Sequence, residues 1–378
     1  MTDPVQPPAA AVPGWEGGVA ARLANLAGAR VIAQGLGLLW FLYAARELGA
    51  EDFGVLSTGL ALVVIIGGLS DLGTTRTVVR HVAAVPDSLR ATFLRAGAVR
   101  IGAGAAIGLV AVAVLRLVAP DVPSSVVALA AVVAVASGMT EVGFASLRST
   151  GWVGTEVFLL VGERVLFVIA GVAVVQRGGG PVAVLCAYAL TNLISAGTVS
   201  VQIHRRGRHG HEPSGPLFDA EGRSTALSST LVIIGPRISV LILVVLATPT
   251  VLGSFTIAQK VPEALGILGT AAIMPVLPLL RAAITGSRWK PALDRGARIT
   301  AAVAGAMAPV VAWMVLDGRR FPDTLFDAGD RKGTVAALAF LSVAALLWVI
   351  RTLGEMILLA EERASTYLAA LGVGLVVN

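Results

Sequence analysis

Apolar runs long enough to cross a bilayer follow one another along this chain with little between them. They fall at about 24–45, 53–75, 97–118, 124–146, 154–176, 181–202, 228–247, 250–279, 297–316, 334–359 and 365–378. A hydrocarbon core of roughly 30 Å takes about 20 residues of helix per crossing. No water satisfies backbone amides at that depth, so the runs must be helices, each closing its own hydrogen bonds. Composition agrees, with 56% hydrophobic residues, 14% charged and a mean hydropathy of +0.83. The expectation is an all-α integral membrane protein of about eleven crossings.

Little is left over for anything else. The first 21 residues are rich in Pro, Ala and Gly and carry no Lys or Arg, so they read as a disordered cytoplasmic tail (1–21) rather than a signal peptide. A single cysteine, Cys186, excludes an internal disulfide, and its apolar neighbours predict a packed core thiol. The longest connection, 204–227, divides six helices in 22–203 from about five in 228–378. It holds His204, His209 and His211, but no Cys or carboxylate follows at a usual metal-ligand spacing. It reads as a solvated basic linker, with no metal site. The last run, Thr366–Asn378, is 13 residues long, about 20 Å of helix, and reads as a crossing cut short.

Charge sets the expected orientation. With the N-terminus in the cytoplasm, the cytoplasmic connections hold 17 basic residues and the outer ones 7. Basic loops stay inside, so the net charge of +6 reports topology and not a nucleic-acid partner. The Ala-, Val- and Gly-rich, Lys-poor composition points to a GC-rich bacterial genome, hence the bacterial cytoplasmic (inner) membrane.

Five basic residues lie inside the apolar spans: Arg30, Arg164, Arg237, Lys260 and Arg351. A cation near the centre of a membrane helix costs roughly 2.5–3.5 kcal/mol even on insertion scales, so it faces a partner or a water-filled cavity. Several cations at depth suit an anionic cargo. Lys260 has Glu263 three residues on and Arg351 has Glu355 four residues on, spacings at which the charges can neutralise each other. Glu163 adjoins Arg164, so the two point apart and at least one needs another partner. Arg30 and Arg237 have no acid within four residues of their own helix, which makes them the leading substrate contacts. The competing reading for Arg30 is an interhelical pair with Asp71. Glu141, Glu163 and Asp71 are the candidates for binding a coupling ion, Asp71 being better suited to capping or pairing. Pro262, Pro275 and Pro278 predict a kinked eighth helix, and Gly104 with Gly108 a tight packing face on the third.

Three blocks carry a family resemblance. The first is Asn25–Ala83, with Ala45–Arg46–Glu47–Leu48–Gly49, Asp52–Phe53–Gly54 and Asp71–Leu72–Gly73 at the ends of the first two helices. The second is Leu252–Leu280, with a polar Ala-Gln-Lys core and a closing Pro-Val-Leu at Pro275. The third, looser, runs from Thr324 to Asn378. Together they resemble the bacterial polysaccharide-biosynthesis membrane proteins, the oligosaccharide-lipid flippases. That family shares the MOP superfamily with multidrug and toxin extruders (MATE exporters) and lipid II flippases.

The resemblance implies a two-lobe transporter of 12–14 helices whose second lobe is truncated here. It also implies an undecaprenyl-diphosphate-linked oligosaccharide as cargo, no cofactor, and membrane lipids and polysaccharide polymerase machinery as partners. The diphosphate would meet Arg30, Arg237, Arg164, Lys260 and Arg351 between the midplane and the cytoplasmic side. Setting Gly54 on Gly253 aligns FGVLSTGLALVV with LGSFTIAQKVPE in hydropathy and small-residue placement, a parallel internal repeat.

The alternatives are a drug/cation antiporter, an integral-membrane polymerase or ligase, and a scaffold for an envelope machine. Cations within the membrane disfavour the first. The second calls for large outer loops, and the longest here, about 317–333, is short. There is no Gly-rich phosphate loop and no zinc spacing, so the chain reads as a transporter rather than an enzyme.

Overall fold

The computed structural model describes residues 19–207, 237–273, 289–317 and 331–360. Among these residues every regular element is helical. The elements are α1 (Val19–Asp71), α2 (Thr74–Ala84), α3 (Leu89–Val118), α4 (Ser124–Ser149), α5 (Val153–Gln176) and α6 (Pro181–Arg206). They continue with α7 (Arg237–Leu246), α8 (Pro249–Ile273), α9 (Trp289–Asp317) and α10 (Arg331–Ala360). Seven helices among the described residues are long and apolar enough to cross a membrane.

The first two expected spans form one continuous element. Within α1 the apolar stretch Gly28–Asp71 is 44 residues, about 66 Å of helix, twice what one crossing uses. It is hinged at Gly49, where φ is 75° and ψ 172°, values that glycine adopts without a Cβ clash. The segment after Asp71 is helical where the sequence predicts a basic loop. In α2, Thr74, Thr77, Val78 and Val82 are buried, while Arg76 and Arg80 are exposed. One apolar stripe and one cationic face are the signature of a helix lying along a membrane surface.

Packing among α1–α6 explains the glycines. A Cβ on Gly104 would lie 2.7 Å from Val135 Cγ2, and one on Gly108 2.6 Å from Ala131 Cβ, so α3 lies flush on α4. Gly171 accommodates Trp40, whose ring stacks at 4.5 Å from Phe167, itself 4.4 Å from Tyr188. Cys186 is exposed, contrary to expectation, although Leu185 and Ala187 beside it are buried. Apolar neighbours do not separate core from lipid-facing positions when the solvent is itself apolar.

The N-terminal helices join the C-terminal ones mainly through α1 and α8. A Cβ on Gly54 would sit 1.9 Å from the carbonyl oxygen of Pro249, and one on Gly253 2.0 Å from that of Ala50. Gly54 and Gly253 are 199 residues apart, and so are Ala50 and Pro249. The two contacts are therefore reciprocal, the pattern of a twofold axis between repeats. The alignment read from hydropathy has a physical counterpart in this crossing.

Candidate functional site

Three of the five cations that stand inside apolar runs are arranged along one face of α1. Arg30, Gly37 and Phe41 stand seven and then four residues apart, which puts them on one stripe of the helix over about 16 Å. Arg30 is exposed. Gly37 faces the Arg164 side chain of α5, whose Cδ would be 4.0 Å from a Cβ there. Phe41 presents its ring to Lys260 of α8, with Nζ 5.0 Å from the centroid. A cation over a ring face is attracted by the quadrupole, and more strongly when both are desolvated.

Arg237 joins this column through an acid. At the start of α7 it donates to both oxygens of Glu263, from Nη2 to Oε1 at 2.5 Å and from Nη1 to Oε2 at 3.2 Å. Lys260 Nζ donates to Oε2 of the same carboxylate at 2.8 Å. Two cations thus share one anion, and the cluster keeps a net positive charge. Its side chains are 15%, 22% and 15% exposed for Arg237, Lys260 and Glu263, so they are largely desolvated yet reachable. Pro262 lies inside α8 between Lys260 and Glu263. Having no N–H, it leaves the Ala258 carbonyl without its helical donor beside the cluster. Arg237 has no acid within four residues of its own helix, and the acid it meets comes from α8. The spacing signal at Lys260 and Glu263 does correspond to an ion pair.

The 199-residue offset shows how local this cluster is. At the equivalent positions α1 has Leu38, Ala61 and Val64 in place of Arg237, Lys260 and Glu263. The counterpart of the Lys260–Phe41 contact is Ala61 with Val240, two buried residues of one apolar cluster. The repeat is polar on one side only.

A second cluster links α4, α5 and α6. Glu163 accepts a hydrogen bond from Ser195 Oγ at 2.8 Å and lies within electrostatic range of Arg164 and Glu141. Arg164 Nε is buried without a hydrogen-bond partner. Glu141 is exposed on α4. Two turns further along α4, Arg148 grips the buried Glu156, with Nη2 to Oε1 at 2.6 Å, across the turn between α4 and α5.

The third cluster corrects the competing reading of Arg30, a pair with Asp71, because Asp71 is held by another arginine. Asp71 is held by Arg100 Nη2 and also accepts from Thr75 Oγ1 at 2.7 Å, Thr74 Oγ1 at 3.0 Å and Thr75 N at 3.2 Å. Arg100 Nε donates to Thr74 Oγ1 at 3.1 Å, and a Cβ on Gly138 would lie 2.8 Å from Arg100 Nη1. Arg100 is 5% exposed, although its place among charged neighbours reads as loop. The missed signal was Asp71 followed by two threonines, a ready-made acceptor set for a guanidinium. Arg351 is exposed on α10, and the side chain of Glu355 lies outside the described residues, as do the histidines after His204, Pro275, Pro278 and the final run.

These helices define a multi-pass, all-helical membrane protein, and comparison with solved structures shows its fold. The chain is similar to an outward-facing multidrug resistance MATE transporter of the MOP superfamily at 14% identity, over 93% of this chain and 84% of that one, with a TM-score of 0.65. It is also similar to a MOP superfamily transporter from Pyrococcus furiosus described as having a binding pocket of reverse polarity. That match has 13% identity over 94% and 91% of the two chains and a TM-score of 0.56. A third is the MATE multidrug transporter DinF-BH, at 13% identity over 94% and 85% of the two chains, with a TM-score of 0.58. At these identities the likeness shows the fold alone, the two-lobe all-α fold of the MATE structures.

Residues 20–282 match the family model described as polysaccharide biosynthesis protein, and the chain belongs to that family. No curated protein matches it.

Proposed function

We propose that the chain is a flippase that moves a polyprenyl-diphosphate-linked oligosaccharide across the bacterial cytoplasmic membrane for surface polysaccharide synthesis. The observation that carries this reading is the cationic column along α1: Arg30, Arg164 at Gly37, and Lys260 at Phe41, continued by Arg237. A diphosphate needs forked, weakly hydrated donors, which arginine supplies, and a positive cavity between low-dielectric walls concentrates anions. The family supports the polysaccharide context, and the fold supports alternating access between two lobes. The Glu263 bridge adds a step: an incoming diphosphate exchanges for Glu263 on Arg237 and Lys260, so the carboxylate holds the empty site together and is displaced by cargo.

The N-terminus is assigned to the cytoplasm, which sets Arg30 at the entry side and the Glu263 cluster deeper. Glu163 and Glu141 are the acids available to a coupling ion, since Asp71 is committed to Arg100. Membrane lipids and polysaccharide polymerase machinery are the expected surroundings. A drug/cation antiporter shares the fold, but a net positive column repels a cationic drug.

The test replaces Arg30 and Arg237 with Ala, singly and together, in cells that depend on this chain for glycan export. Membrane abundance and surface glycan are then measured. Export should fall at normal abundance, and Arg237→Lys should keep part of it, because the charge remains while the fork is lost. Normal export by the double variant would sink the reading.

A further inference from the structure

α2 is 11 residues long, about 16 Å of helix, too short to cross a bilayer. It is tied at both ends to crossing helices, to α1 through Leu72 and Gly73 and to α3 through the short turn 85–88. Leu72 and Gly73 take positive φ values, 45° and 80°, which turn the chain sharply out of α1. Its buried residues Val78 and Val82 pack with Phe93 of α3, Val142 of α4 and Ile203 of α6. The apolar stripe is thus covered by protein, and α2 caps the bundle where α1 ends and α3 begins. α3 is 30 residues and about 45 Å long, enough for the hydrocarbon core and both head-group layers. Its first turns, with Arg90 and Arg95, therefore stand beside α2 at head-group depth.

The other face of α2 decides what the helix meets. Its exposed residues are Arg76, Val79, Arg80, Ala83 and Ala84, and the helix contains no acid. Arg76 and Arg80 stand one turn apart, with Val79 beside them at 37% exposure. Exposed Val85 and Leu94 extend the apolar part of this surface, and exposed Arg95 the cationic part. A face turned to water mixes charges of both signs. Arginines set among apolar residues alone match instead the boundary between lipid phosphates and acyl chains, where the guanidinium reaches up and the apolar side chain stays below.

Charge decides between lipids. From Leu72 to Arg95 there are four arginines and one acid, Asp87. Asp71, just before, is already held by Arg100. A Cβ on Gly207 would lie 3.1 Å from Arg90 Cβ, so the end of α6, with exposed Arg205 and Arg206, stands against the start of α3. Three elements thus present one sign of charge at one end of the first lobe. A zwitterionic head group gains little from such a field, whereas an anionic one is drawn to it.

We infer that α2, with the start of α3 and the end of α6, is a docking surface for anionic phospholipids of the bilayer, Arg76 and Arg80 meeting the head-group phosphates and Val79 the top of the acyl chains. The surface uses no residue of the cationic column and does not depend on the cargo.

The probe is a bimane fluorophore on Val79→Cys, in the full chain with Cys186→Ala, reconstituted in phosphatidylcholine nanodiscs. A minor share of either phosphatidylglycerol or phosphatidylcholine carries a nitroxide at the top of its acyl chain. Quenching then reads which lipid sits against the helix. Nitroxide phosphatidylglycerol should associate about fivefold more strongly than nitroxide phosphatidylcholine. The preference should fall below about twofold in Arg76→Gln plus Arg80→Gln and at high salt, and persist in Arg76→Lys plus Arg80→Lys, which keep the charge. A fluorophore on Leu246→Cys, 78% exposed and far from any basic residue in sequence, should show no preference. Equal quenching by the two lipids at Val79, or a preference that survives both the glutamine pair and high salt, would overturn the inference. So would quenching by neither lipid, which would set this face against water or protein. Displacement of the lipid by inorganic pyrophosphate at matched ionic strength would overturn it too, making the surface a site for a free phosphate.

Discussion

The Asp71 and Glu263 clusters each join arginine to a carboxylate inside the helix bundle, and they are built on opposite principles. Asp71 and Arg100 are matched one to one, and Thr74 and Thr75 donate to the same carboxylate oxygen, Oδ1, that Arg100 holds. Arg237, Lys260 and Glu263 are mismatched, two cations on one carboxylate. A pair whose charges cancel contributes a fixed geometry and no net attraction for an ion. A cluster with surplus charge holds its shape through one shared partner and keeps attraction for an anion. The first fastens α1, α2 and α3 together; the second faces the junction of the two lobes.

The largest effect expected from this contrast is at the matched pair. Arg100→Ala leaves Asp71 buried without its cation and should destabilise the fold by about 3–5 kcal/mol. Membrane abundance should fall sharply, and adding Asp71→Asn should recover much of it. An abundance unchanged by Arg100→Ala would break the distinction between the clusters. In the mismatched cluster the outcome should depend on which member goes. Glu263→Gln strands two cations and should cost about 2–4 kcal/mol, whereas Arg237→Ala leaves the Lys260–Glu263 pair whole and should cost about 1 kcal/mol. Thermal unfolding of the purified variants measures both, and equal losses would mean that the surplus charge is not real.

The lobe crossing supplies the next test. Gly54→Ala and Gly253→Ala each push a methyl into a backbone carbonyl of the other lobe, at a cost of about 1–3 kcal/mol. Because the contacts are reciprocal, the two losses should be similar; a large difference would argue against a twofold relation. The smallest expected effect is on stability and the sharpest on topology. Cysteine placed at Asp121 or Arg177 should react with an impermeant reagent outside intact cells, and cysteine at Arg206 should not. The reverse pattern would invert the assigned orientation.

Much of the fold was legible because the bilayer imposes one rule, a helix wherever about 20 apolar residues run together. The misreadings have physical causes. Nothing near Arg100 in the sequence, with Arg90 and Arg95 before it, marks it as a buried charge. Its burial depends on Asp71, 29 residues away, and on the space left by Gly138. Arg237 looked unpaired because a sequence reveals acids only on the same helix, while Glu263 is 26 residues distant on α8. Cys186 looked buried because its neighbours are apolar, which in a membrane helix is true of both faces.

The amino-acid sequence alone determined that this chain is a bundle of membrane helices, that Gly54 and Gly253 are equivalent, and which cations stand inside its apolar runs. These follow from hydropathy and spacing, which are local. The tertiary structure decided which cation meets which acid, that Arg30, Arg164 and Lys260 are arranged along one stripe of α1, and that the two glycines touch across the lobes. Pairings of this kind arise where helices distant in sequence cross, and a charge in a low-dielectric interior is governed by whichever partner that crossing brings within reach.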